Sequence, residues 1–417
     1  MRSRLPCGVS IASYATDPIT TNDIDQHCSL PRESLEIPSS LQSNLGIENV
    51  FLRELPSLFF WILGIIAQLY LIRVFSIPRA ISRVLLICQL LIFFSNWEPF
   101  SIWLRSGGSL PGSLMMLWFW SITPIAAGIW LRRKFAAKPF DPGRRALLRT
   151  SVGALTAAPA VGLGIGIITR KDLTVREVSL HFPNLPKDLR GLRLVQLSDI
   201  HMSSFYSAAD LRRAVDAANG LRADLMFVTG DLITDKFDPL DQCLLELKRL
   251  RAASGVWGCM GNHEQHAKVE RYTAETAKKM GMFFLRQEQE MLRFGAAKLN
   301  LVGVDHQKRN LPYLQHTGQM VVPDAFNVLL SHNPDVFPVA EKQGFQLTVS
   351  GHTHGGQINL EVLGRDFNVV DLVTPFTKGT YHINSSSLYV NSGLGTIGVP
   401  VRLGSPPEVT LITLCNS

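Results

Sequence analysis

Leu194-Val195-Gln196-Leu197-Ser198-Asp199-Ile200-His201 is an apolar, strand-like run that ends in two metal-seeking side chains. Asp199 and His201 are separated by one residue, so an extended segment points both the same way. The pattern recurs through the second half of the chain. Leu225 to Thr229 leads into Gly230-Asp231, and Val256 to Met260 leads into Gly261-Asn262-His263-Glu264. Val328 to Leu330 leads into Ser331-His332-Asn333, and Leu347 to Ser350 leads into Gly351-His352-Thr353-His354-Gly355-Gly356. In each case a rigid strand delivers polar side chains into the loop at its C-terminal end, where α/β sheets collect their sites. Leu299 to Val304 reads as a further strand and Ala208 to Asn219 as a helix. Ser387 to Val390 and Val409 to Leu414 close the domain in β structure. The alternation predicts an α/β domain of about 245 residues, long enough to bury one substantial core.

Any one of these motifs is weak, because a single histidine beside a strand is commonly a hydrogen-bonded core residue. The joint pattern is specific. Two Asp, four His and one Asn drawn from the five strand-end loops are enough for two metal ions with one shared carboxylate. That set predicts a metal-dependent hydrolase. Mixed Asp, His and Asn donors suit Mn, Fe or Zn better than Ca. Cys259 precedes the Gly-Asn-His-Glu motif, but the six cysteines form no Cys-x-x-Cys pair, and Cys259 is read as a buried structural residue.

Asp-x-His, Gly-Asp, Gly-Asn-His-Glu, His and Gly-His-x-His, in this order, resemble the calcineurin-like metallophosphoesterase superfamily over roughly residues 190 to 415. Gly351 to Gln357, Tyr389 to Thr396 and Pro407-Glu408-Val409 look most like its bacterial membrane-associated or exported branch, the YkuE/YaeI-type phosphoesterases. The resemblance implies a central β-sandwich flanked by helices. It implies that Asp199, His201, Asp231 and His354 hold one divalent metal ion. Asp231, Asn262, His332 and His352 would hold a second, with Asp231 bridging. His263 would be the catalytic residue, facing the leaving group or a phosphoryl oxygen, and Glu264 a structural hydrogen-bonding group. The sequence departs from the family at two places. Thr234 stands where a second Asp often orients the catalytic histidine, with Asp235 one residue later, and Ser392 stands where the branch usually shows Arg. His306 and Asn333 are further candidates for the pocket lining, and Arg402 for a contact with substrate phosphate.

Such a site implies hydrolysis of a phosphomonoester or phosphodiester by metal-activated hydroxide. Two ions about 3.5–4 Å apart lower the pKa of a shared water and neutralise phosphoryl oxygens. A histidine can protonate the departing alkoxide. The competing expectation is a metal-stabilised binding or sensor module with little turnover. Phospholipid or cell-envelope phosphoesters are the candidate substrates.

The first part of the chain differs in character. Residues 1–50 are polar and read as a mobile tail. Residues 51–170 contain four apolar stretches, near 55–75, 81–97, 112–131 and 151–169, which predict a region of about four transmembrane helices. The net charge is +7, and the clearest basic cluster is Arg132, Arg133, Lys134, Lys138, Arg144, Arg145 and Arg149. Lying between apolar runs, it reads as a topology signal and not as a nucleic-acid surface. Gly143-Arg144-Arg145-Ala146-Leu147-Leu148-Arg149 also resembles a twin-arginine export signal. Together these features predict a multi-pass membrane protein with residues 171–417, the catalytic domain, on the extracytoplasmic side.

Overall fold

The computed structural model describes residues 61–74, 110–135, 161–162, 164–308, 312–362 and 365–417, with isolated positions between 77 and 90. Strands alternate with short helices from Thr174 onward. In chain order they are β1 (Thr174–Phe182), β2 (Arg193–Leu197), α1 (Ala208–Gly220), β3 (Leu225–Thr229), α2 (Leu240–Leu247), β4 (Val256–Cys259), α3 (Asn262–Ala267), α4 (Glu270–Lys279) and β5 (Met282–Phe284). They continue with β6 (Glu288–Phe294), β7 (Ala297–Gly303), β8 (Phe326–Leu330), α5 (Phe337–Gln343), β9 (Leu347–Ser350), the hairpin β10 (Asn359–Val362) and β11 (Arg365–Asn368), β12 (Gly379–Ile383), β13 (Ser386–Val390) and β14 (Glu408–Asn416).

The strands form two six-stranded sheets, ordered β1-β14-β2-β3-β4-β5 and β12-β13-β9-β8-β7-β6. Side chains alternate across a strand with period two, and here both faces find a partner. Leu194, Leu225 and Phe227 point inward and pack with Leu301, Val328, Leu330, Leu347 and Val349 of the other sheet. Their neighbours Val195, Leu197, Met226 and Val228 point outward onto Leu211 and Val215 of α1 and Leu244 of α2. On the second sheet Val302 and Leu329 face outward onto Val336, Ala340 and Phe345. The result is a β-sandwich with helices on both outer faces, which explains why the central strands read as continuous apolar runs.

The pairing directions position the site. β2, β3 and β4 run parallel, as do β7, β8, β9 and β13. All their C-terminal loops therefore leave the sandwich at one edge. The two sheets are tied there: the Gln196 side-chain amide donates to Thr229 Oγ1 at 2.8 Å and to the Ser350 carbonyl at 2.9 Å.

The expected multi-helix transmembrane region needs correction. Among the described residues no helix is long and apolar enough to cross a membrane. A helix is described over residues 61–74. Its buried Gln68 accepts a hydrogen bond from Trp118 Nε1 at 3.0 Å. The helix Leu110–Phe135 has Pro124 inside it and ends on Arg132, Arg133 and Lys134. The orientation inferred from basic loops falls with the spanning helices. The tail at residues 1–50, the stretch at 151–160 and most of 81–97 lie outside the described residues.

Phe227 is fully buried between the sheets. Phe227→Ala is expected to lower unfolding stability by about 3–5 kcal/mol in urea titration, because it deletes an aromatic ring from a closed core.

Candidate metal centre

The loops after β2, β3, β4, β8 and β9 meet at the edge of the sandwich. Backbone hydrogen bonds align them. Asp199 N donates to Gly230 O at 3.1 Å, His201 N to Asp231 O at 3.0 Å, and Gly351 N to His332 O at 3.2 Å. The approach is close enough to demand glycine at two points. A Cβ on Gly261 would lie 2.0 Å from Asp231 Oδ1, and one on Gly351 would lie 1.9 Å from Ser198 Oγ.

Five side chains that the sequence marks as ligands sit on left-handed backbone: Asp199 (φ 48°), His201 (45°), Asp231 (54°), His352 (75°) and His354 (54°). For residues with a Cβ this conformation costs about 1–3 kcal/mol each, and it persists only where the surroundings enforce it. Here the interlocked loops do so.

The donor atoms fall into groups. Asp199, His201 and His354 form one, and Asp231, His332 and His352 form another. In the first, His354 Nε2 lies 3.1 Å from His201 Nε2 and 3.3 Å from Asp199 Oδ1. In the second, His352 Nδ1 lies 3.2 Å from His332 Nε2, which is 3.0 Å from Asp231 Oδ2. The same Asp231 oxygen is 3.5 Å from His201 Nε2, so it faces both groups. Donors that share an ion at 2.0–2.2 Å lie about 3–3.5 Å from one another. Asn262 Oδ1 is buried and has no protein partner. These observations fit divalent metal at both positions.

Electrostatics agree with the packing. Burial pushes the Asp199 carboxyl up to about 6. Burial opposes ionisation of Asp231 too, but the imidazoles of His332, His201 and His263 outweigh it and hold this carboxyl well below its usual range. Burial lowers His201 to about 3 and His352 to about 4, and His354 well below its ordinary value. These three imidazoles are therefore neutral at pH 7, the form that binds metal. At His332 burial is outweighed by Asp231 and Asp199, which raise it to about 10.

The supporting contacts are equally specific. His332 Nδ1 donates to the Thr229 carbonyl at 2.6 Å, which directs Nε2 into the site. Asp199 accepts from Ser198 Oγ at 2.6 Å and from His352 N at 3.0 Å. Glu264 is fully buried at the start of α3. Its carboxylate accepts from Asp231 N at 2.9 Å, Leu232 N at 2.7 Å and Gly261 N at 2.8 Å. His263 N donates to Asp231 Oδ1 at 2.9 Å, and His263 Nδ1 donates to the Thr234 carbonyl at 2.6 Å. Nε2 is then the ring nitrogen left for substrate. Asp235 is exposed, and its own N–H donates to Asp238 Oδ2 at 2.8 Å.

A cavity of about 390 Å³ opens beside His352 and His354. His306 and Asn333 line it, with Val370, Val373, Thr374 and Ile397. The last four come from segments that carry no motif. Arg402 is placed differently from expectation. It is buried, and its guanidinium donates to the carbonyls of Gly395 at 2.9 Å, Ser392 at 2.8 Å and Ser405 at 3.0 Å. It braces the loop behind His354 and has no donor to spare for substrate. Cys243 and Cys259 are buried free thiols, raised by burial well above the usual thiol range.

Residues 192–356 match the family profile described as Calcineurin-like phosphoesterase. The chain belongs to this superfamily. It is a metallophosphoesterase, a phosphoric ester hydrolase of a family that uses divalent metal. It is 29% identical over 284 residues to the "Uncharacterized metallophosphoesterase YkuE" of Bacillus subtilis, covering 65% of this chain and 97% of that one. It is 25% identical over 245 residues to the "Uncharacterized metallophosphoesterase YkoQ" of the same organism, covering 58% and 90%. A "Transmembrane protein with metallophosphoesterase domain" of Danio rerio is 31% identical over 257 residues, covering 58% of this chain and 57% of that protein. The match to the Bacillus proteins thus spans nearly their whole length, and the match to the fish protein little more than half.

Glu264→Gln tests the brace beneath this phosphoesterase site. The amide keeps the shape but turns an NH₂ toward a backbone N–H. The variant is expected to lose about 1–3 kcal/mol of unfolding stability by denaturant titration, the cost of one buried unsatisfied donor.

Proposed function

We propose that this metallophosphoesterase is dinuclear and hydrolyses a phosphomono- or phosphodiester that carries an apolar group. The observation that carries the reading is Asp231 Oδ2, which faces His201 on one side and His332 on the other. Asp199, His201, Asp231 and His354 would hold one divalent ion, and Asp231, Asn262, His332 and His352 the other. Mn, Fe and Zn suit this donor set. When bound, such ions supply an activated water at neutral pH and offset charge on the phosphoryl oxygens.

The chain's own residues do the remaining work. Strand-end loops locked across two sheets hold the donors without reorganisation, which is the source of electrostatic preorganisation. His263 is aimed by its Nδ1–H bond to the Thr234 carbonyl. In its imidazolium form, with Nδ1–H held by that carbonyl, Nε2–H is the group to protonate the departing alkoxide and leave the neutral ring, a role worth about 10²–10⁴ in rate. Arg402 makes no direct contact with substrate in this scheme.

The adjoining cavity supports the substrate class. Val370, Val373 and Ile397 form an apolar wall beside His352 and His354. Leu372, on the same segment, is 86% exposed. Such a wall suits an acyl or alkyl substituent, as in a phospholipid or an envelope-derived phosphoester. Relatives from Danio rerio and Bos taurus are named transmembrane proteins, which supports membrane association for this reading.

Two experiments test it. The metal-loaded full chain is expected to hydrolyse bis-p-nitrophenyl phosphate or p-nitrophenyl phosphate, with kcat/KM reduced about 100-fold or more in Asp231→Asn and in His352→Ala. Undiminished turnover in both variants removes the metal mechanism, and bound metal without turnover in the wild type turns the reading toward a binding module. For the apolar wall, Val373→Asp is expected to lower kcat/KM on a long-chain phosphodiester about 10-fold or more, and less on the nitrophenyl esters. Equal losses on both substrate types would rule the wall out as a specificity element.

A further inference from the structure

Thr234 lies where the loops after β2 and β3 run side by side. Met202 and Ile233 form an isolated parallel bridge, and Met202 N donates to Leu232 O at 2.9 Å. One residue further on, the Thr234 side chain faces His201 and its carbonyl faces His263. Thr234 Oγ1 is 3.1 Å from His201 Nδ1, and Thr234 O is 2.6 Å from His263 Nδ1. The loop that presents them is itself tied down. Asp238 Oδ2 accepts from Thr234 N at 2.9 Å and from Asp235 N at 2.8 Å.

We propose that Thr234 is a positioning residue that serves both imidazoles: its hydroxyl holds the His201 ring with Nε2 toward the metal site, and its carbonyl aims His263.

The chemistry follows from the atoms. His201 Nε2 points at His354 Nε2 and Asp231 Oδ2. To offer a lone pair there, neutral His201 must carry its proton on Nδ1. The Thr234 hydroxyl, 3.1 Å from Nδ1, holds the ring in that orientation, and it would accept from Nδ1–H when Nε2 is a ligand. Outer partners of this kind orient a ligating histidine, and losing one typically costs 10–100-fold in metal affinity. The contact to His263 works by a different atom. A main-chain carbonyl only accepts, so it also requires the proton on Nδ1 of His263 and leaves Nε2 toward the substrate side. The two functions are therefore separable, because substitution at position 234 removes the hydroxyl and leaves the carbonyl in place.

This inference rests on the phosphoesterase reading only for the metal site, and its test is read on metal binding. Thr234→Val is nearly isosteric and lacks the acceptor, and Thr234→Ser retains it. In the full chain, with Mn²⁺ and Zn²⁺ as probes in competition with a chelator, Thr234→Val is expected to bind one of the two ions about 10–100-fold more weakly. Thr234→Ser is expected to bind within about threefold of the wild type. Unchanged affinity in Thr234→Val overturns the proposal. Equal weakening in both variants also overturns it, since loop packing would then be the cause. Should Thr234→Val fail to fold, Thr234→Ala, which also lacks the hydroxyl, takes its place beside Thr234→Ser: weakening confined to Thr234→Ala supports the proposal, and unchanged affinity overturns it. A wild type that binds metal without turnover sinks the phosphoesterase mechanism and leaves this inference standing.

Discussion

Two carboxylates, Asp199 and Asp231, are buried side by side at the edge of a β-sandwich, and the rest of the architecture answers to that constraint. Buried like charges repel and are poorly solvated, so they persist only with compensation. Compensation here comes from imidazoles, chiefly His332, His201 and His263, and from main-chain N–H groups. His332 lies within 3.0 Å of Asp231, and His352 N donates to Asp199 at 3.0 Å. The same crowding that makes the site costly in isolation makes it a strong attractor for divalent cations.

The sandwich pays for this arrangement through its connectivity. Parallel strands in both sheets send their C-terminal loops to a common edge, and contacts across the sheets close it. Gln196 reaches Ser350, His332 reaches Thr229, and Asp199 accepts from His352. Each contact joins residues more than a hundred positions apart, so the left-handed conformations of Asp199, His201, Asp231, His352 and His354 depend on the assembled fold. Glu264 has a similar role within one sheet. One carboxylate satisfies three backbone donors from two loops and fixes the approach of α3 to Asp231.

Much of this was legible in the residue order. β2, β3, β4, β8 and β9 are mostly apolar on both faces because both faces are buried, and each leads into one of the candidate donors. β1 and β6 were not legible as strands. They lie at sheet edges and read as Thr-Val-Arg-Glu-Val-Ser-Leu-His-Phe and Glu-Gln-Glu-Met-Leu-Arg-Phe, with mostly exposed positions and no apolar run. The apolar stretches before residue 170 misled in the opposite way. Hydropathy alone suggested membrane spans, whereas among the described residues no helix is both long and apolar enough to cross a membrane, and Gln68 pairs with Trp118. Arg402 also carried no sequence sign of its fate, because a guanidinium bound to three carbonyls and one facing a phosphate look the same in one dimension.

Residue order by itself determined the sandwich's central strands and the chemical types of the donor set, since strand periodicity and ligand identity are local properties. Only the tertiary structure decided which donors share an oxygen of Asp231, that a threonine carbonyl stands where a carboxylate would orient His263, and that Val370, Val373 and Ile397 wall the cavity. Those are relations between loops brought together by sheet pairing. Their distances are set by packing and by hydrogen bonds that have no counterpart in sequence spacing.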